Sequence, residues 1–71
     1  MPREWEITSK SGWLMFADAA SKTIIEADRV ALFGTTTGGF AVTAAGERMF
    51  FECEAGHARQ CVDRLFGLLA E

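Results

Sequence analysis

Residues of the kind that do chemistry are scarce in this chain: one histidine and two cysteines among 71 residues. A single His57 among scattered acids gives no Ser-His-Asp or paired-carboxylate arrangement, so an enzyme is not expected. No stretch approaches the roughly 20 apolar residues that span a bilayer as a helix. Behind the basic residue of Met1-Pro2-Arg3-Glu4-Trp5 there is no apolar run, so no signal peptide is expected and the protein is placed in the cytoplasm. In that compartment the cysteines are expected to be reduced. A basic excess is also missing. Seven Lys and Arg against ten Asp and Glu give a net charge of −3, which disfavours nucleic acid, whose binding rests on neutralising phosphates. Repeats, low-complexity tracts and linkers are absent, which leaves one domain over 1–71.

What is present reads as a small folded domain. The chain is 49% hydrophobic, but a domain of this size buries only about 60% of its unfolded surface. Its core is therefore marginal, and self-association, a metal or a disulfide would each add to it. Turn signals arrive about every ten residues, the mark of short antiparallel strands. Trp5 to Ser9, Trp13 to Phe16, Lys22 to Glu26, Arg29 to Phe33, Phe40 to Ala44 and Arg48 to Cys53 are the expected strands. Ser11-Gly12 and Ala45-Gly46 are the tightest turns between them. From His57 onward the period changes. Ala58, Cys61, Val62, Leu65, Phe66 and Leu69 follow helical spacing, with Arg59 and Asp63 placed to pair on the opposite face. The expected fold is α+β: an antiparallel sheet of five or six short strands, hairpin-built and open to curling into a half-barrel, with one carboxy-terminal amphipathic helix over about 57–70 packed on one face.

The segment "GTTTGGF", 34–40, has the glycines of a phosphate-binding loop. It lacks the lysine and hydroxyl that such a loop needs after its last glycine, and no helix follows. A hairpin accounts for it. Placing Val30 and Leu32 on one face with Phe40 and Val42 requires an odd loop, Thr37-Gly38-Gly39. A two-residue turn at Ala45-Gly46 then pairs Val42 with Met49 and Phe40 with Phe51, leaving Arg48 and Glu52 outward.

Cys53, His57 and Cys61 recur at intervals of four, which on one continuous helix would line a face and begin a zinc site. Gly56 and the strand pattern of Met49, Phe51 and Cys53 break that continuity, and buried thiols acting as small hydrophobes are the plainer reading. No cofactor or metal is expected. His57, in the first turn of a helix, is expected to be neutral and solvated.

Apolar residues exceed what one covered face holds. Trp5, Ile7, Leu14, Phe16, Val30, Leu32, Phe40, Val42, Met49 and Phe51 are assigned inward, which leaves Trp13, Met15, Phe33 and Phe50 on the other side. Either the sheet curls and buries them, or they form an interface, for which Trp, Met and Phe are suited. The sequence from Ile24 to Leu69, with "ADRVALF", a hairpin, "AAGERMFFECEAG" and a helix, resembles the first half of LytTR-type DNA-binding domains and the end of a pleckstrin-homology-like barrel. It lacks the former's second half and the latter's length, so no residue role carries over.

The expected function is a non-enzymatic interaction domain that covers a surface of a larger protein or of a second copy, of the kind used by phage or mobile-element inhibitors of host defence complexes. Its partner-binding residues would be Trp13, Met15, Phe33 and Phe50, with Glu47 and Glu52 at an acidic rim, where charge mainly speeds and orients encounter. A nucleic-acid-binding regulator using Lys10, Lys22, Arg29 and Arg48 is the second reading, and a zinc or redox domain centred on Cys53, His57 and Cys61 the third.

Overall fold

Alternating apolar and polar residues in the first third of the chain give a three-stranded antiparallel meander. In the computed structural model, which describes residues 3–70, its strands are β1 (Glu6–Lys10), β2 (Trp13–Ala17) and β3 (Lys22–Glu26). Met1 and Pro2, part of the amino-terminal stretch weighed as a signal peptide, lie outside the described residues. Ser11 and Gly12 both have left-handed φ, 52° and 83°, the signature of a type I′ turn. The second connection is closed by Asp18, whose Oδ1 accepts from the backbone N–H groups of Ala20 and Ser21 and from the Ser21 hydroxyl.

A 3-10 turn, Ala27–Arg29, leads into a second meander of β4 (Val30–Thr36), β5 (Gly39–Ala44) and β6 (Glu47–Glu52). The six strands thus divide between two sheets of three. The pairing of Val42 with Met49 and Phe40 with Phe51 through Ala45-Gly46 is present, and those two turn residues are again both left-handed.

The β4–β5 hairpin differs from expectation. Its loop has two residues, Thr37-Gly38, because Thr36 pairs with Gly39, and Phe33 with Val42. Gly38 takes the left-handed φ, 85°. Gly39 belongs to the strand, where a Cβ would overlap the carbonyl oxygen of Phe51. This odd register turns Phe33 inward and Leu32 outward, so Leu32 is 69% exposed and Phe33 packs against the core. A bulge between Val30 and Leu32 restores Val30 to the inner side, opposite Ala44. One extra residue in a strand is enough to do this, since it reverses the alternation beyond it.

The inner faces of the two sheets meet at three phenylalanines. Phe51 stacks on Phe16 and on Phe40 with ring centroids 4.8 and 4.9 Å apart, and Trp5 meets Phe51 edge-on at 5.0 Å. The helix α1 (Ala55–Leu69) begins two residues earlier than its spacing suggests and closes the core with Ala58, Cys61 and Leu65. It lies against β1, β4 and β5. Arg64 Nε donates to the Ile7 carbonyl at 3.0 Å, and Trp5 Nε1 to the Glu52 carbonyl at 2.9 Å, so the start of the chain is tied to both helix and second sheet. Among the described residues Arg59 and Asp63 make no ion pair; Arg3–Asp18 and Glu26–Arg29 do.

Candidate interaction surface

Register defines the outward face of the first sheet. Because β1 pairs Thr8 with Met15 and β3 pairs Ile24 with the same Met15, these three form its middle row. Glu6, Ala17 and Lys22 form the row at one end, and Lys10, Trp13 and Glu26 the row at the other. The inward set, Ile7, Leu14, Phe16 and Ile25, is buried. No described element covers the outward set: Trp13 is 47% exposed and Ile24 59%, with half-buried Met15 between them. Thr8, Met15 and Ile24 line the floor of an open depression of about 670 Å³ that Trp13 borders. Ser9, Lys10 and Ser11 complete its rim. Four charged side chains, Glu6, Lys10, Lys22 and Glu26, stand at the corners of the sheet face, and of these Lys10 reaches the depression.

The outward face of the second sheet carries Leu32 and Phe50, on its two edge strands and separated by Thr43 and Ala41 of the central strand. Phe50 is 49% exposed. The six residues expected at an interface therefore do not form one surface. Trp13 and Met15 come together, exposed Glu47 at the β5–β6 turn lines a groove with Trp13 and Ile24, and Phe50 and Glu52 share the outer side of β6 elsewhere. Phe33 is corrected to the core by the two-residue hairpin. Ile24 and Leu32 are absent from the sequence-derived surface. "KTIIE" does carry a signal for Ile24, since two adjacent isoleucines in a strand cannot both face inward.

Cys53, His57 and Cys61 are neighbours without forming a chelating set. Among the described residues no three His, Cys, Asp or Glu side chains are grouped to hold a metal ion. Both thiols are free and buried. His57 is half-buried, not solvated as expected: its Nε2 accepts the backbone N–H of Trp5 at 2.7 Å and lies 3.4 Å from the Cys61 sulfur. Burial, reinforced by the nearby Cys53, pushes the Cys61 thiol up to about 11. Cys53 is raised as well, by burial and then by the charge of Glu54. Neither sulfur is a ready thiolate, the form that binds metal or attacks an electrophile.

The basic residues do not converge. Lys10 and Lys22 hold opposite corners of the first sheet's face, Arg29 lies on the 3-10 turn and Arg48 on the second sheet. No helix among the described residues is long and apolar enough to cross a membrane. No family model matches the chain, and no curated protein or solved structure is significantly similar to it.

Proposed function

We propose that this chain is a non-enzymatic binding domain whose working surface is the outward face of the first sheet, and that it acts by covering part of another protein molecule. The carrying observation is the adjacency of Trp13, Met15 and Ile24 on two neighbouring strands, with Trp13 and Ile24 about half exposed or more. Trp and Met are enriched at interfaces, and an aromatic anchor beside an apolar floor is the usual form of an energetic centre. The paired sheet beneath supports the reading, because its backbone is already ordered and only side chains remain to be fixed on binding.

The test compares the two sheet faces. Trp13→Glu and Ile24→Glu should each leave the circular-dichroism spectrum and denaturation midpoint near those of the parent, and should abolish association. Leu32→Glu and Phe50→Glu, on the other sheet, should leave association intact. The readout is solution mass of the pure chain, together with binding to protein partners from the cells that make it. Association that survives both first-sheet variants overturns the proposal. So does a loss of several kcal/mol of stability in them, since the face would then be structural.

A further inference from the structure

We infer that the occupant of this face is a second copy of the same chain. The inference rests on the binding-surface reading above and names its partner. It is carried by the arrangement of four charges around the apolar centre. Glu6 and Lys10 stand at the two ends of the outward row of β1, and Lys22 and Glu26 at the two ends of that of β3. Ala17 separates Glu6 from Lys22, and Trp13 separates Lys10 from Glu26. Going round the corners, the signs alternate. Adjacent strands are about 4.8 Å apart, so the backbones of charges two strands apart stand about 10 Å from each other. Among the described residues Glu6, Lys10 and Lys22 make no ion pair and are left to meet charges from outside, while Glu26 has an exposed contact with Arg29 at 3.6 Å.

Four charges alternating around a rectangle are complementary to themselves when the rectangle is turned over. Two such faces can be related by a twofold axis running between them, either along the strands or across them. Along the strands, Glu6 meets Lys22 of the second copy and Lys10 meets Glu26. Across the strands, Glu6 meets Lys10 of the second copy and Lys22 meets Glu26. Every corner meets its opposite in both cases, and each pairing is made twice. A partner surface of one sign would match only half of them.

Side-chain size selects between the axes. Along β2 the outward residues run Trp13, Met15, Ala17, from large to small. A crosswise axis through Met15 places each Trp13 over Ala17 of the second copy, filling the shallow end of one face with the tall end of the other. A lengthwise axis would set tryptophan on tryptophan and leave a gap over the alanines, across which dispersion attraction is forfeited. The crosswise axis is therefore the one we assign. Three strands of five residues cover roughly 14 by 17 Å, well below the ~800 Å² per partner of a standard interface. The dimer is therefore weak, and its fraction rises with concentration.

The experiment is sedimentation equilibrium of the full chain from about 10 μM to about 1 mM, where interfaces of this size dissociate. The mass should rise toward twice the monomer. Glu6→Lys should raise the dissociation constant at least about tenfold, because two attractive pairings become repulsive. Adding Lys10→Glu to it should restore association to within about threefold of the parent. Glu6→Lys with Lys22→Glu should not restore it. All three residues are exposed, so the variants should fold as the parent does, which circular dichroism checks. A chain that stays monomeric at the highest concentration overturns the second-copy inference and leaves the binding-face proposal to its own test. A dimer indifferent to Trp13→Glu, Ile24→Glu and Glu6→Lys overturns both. Rescue by Glu6→Lys with Lys22→Glu instead overturns the crosswise axis.

Discussion

The backbone N–H of Trp5 donates to Nε2 of His57 at 2.7 Å, joining residues 52 positions apart. This bond fixes the tautomer, since a nitrogen that accepts cannot carry the proton, and so places the hydrogen of a neutral His57 on Nδ1. The only histidine of the chain thereby anchors the entry to β1 against the first turns of the helix.

His57→Ala removes the acceptor and leaves a half-sheltered donor unpaired, which costs about 1–3 kcal/mol. Denaturant titration should show that loss. Hydrogen exchange at the Trp5 amide should speed up more than exchange in β5. Unchanged protection of Trp5 would mean that the bond adds nothing to the fold.

Acid should act through Asp18. Partial desolvation raises its carboxyl, but hydrogen bonds from Ala20, Arg3 and Ser21 outweigh this and hold it at about 2, below the ordinary value of about 3.9. A carboxyl depressed in the folded state gives stability that is fully present above the unfolded value and is lost as pH falls from about 4 to about 2. Over that window the parent's denaturation midpoint should fall further than that of Asp18→Asn, which cannot titrate. Parallel curves would remove Asp18 as the cause.

The bulge in β4 makes a paired prediction. Leu32→Glu should change stability by no more than about 0.5 kcal/mol, as at other exposed sites, whereas Phe33→Ala should cost about 1–3 kcal/mol. The reverse order would restore the three-residue loop and the face assignments that go with it.

Ala45 has a φ of 53° at an exposed turn, where an alanine is strained by roughly 1 kcal/mol. Ala45→Asn supplies the residue that type I′ turns favour, followed already by Gly46. It should raise stability by about 0.5–1 kcal/mol, read from the denaturation midpoint. A neutral or negative effect would show that the β5–β6 turn is not limiting.

Most of the secondary structure is legible in the sequence because its causes are local. Ser11-Gly12 and Ala45-Gly46 mark turns by the backbone freedom of glycine, and the spacing of Ala58, Cys61 and Leu65 marks a helix stripe wherever the helix docks. The Val42–Met49 pairing follows from turn length alone. The β4–β5 register does not, because a two-residue turn with a bulge and a three-residue turn without one both keep Val30 inward; they differ from Leu32 to Thr36, where only Leu32 and Phe33 are large and apolar.

By itself the sequence determined the number, type and order of the strands and the helix, and that apolar side chains outnumber the places inside a single covered face. Only the tertiary structure decided where the surplus goes. The two-residue β4–β5 hairpin turned Phe33 inward to pack against the shared core, while Trp13, Met15 and Ile24 were left together on the outside of the first sheet. That choice depends on interactions between residues distant in the chain, such as Trp5 with His57 and Phe16 with Phe51, whose energies no local pattern encodes. The alternating charges of Glu6, Lys10, Lys22 and Glu26 are likewise a pattern only once register sets β1 and β3 on either side of β2.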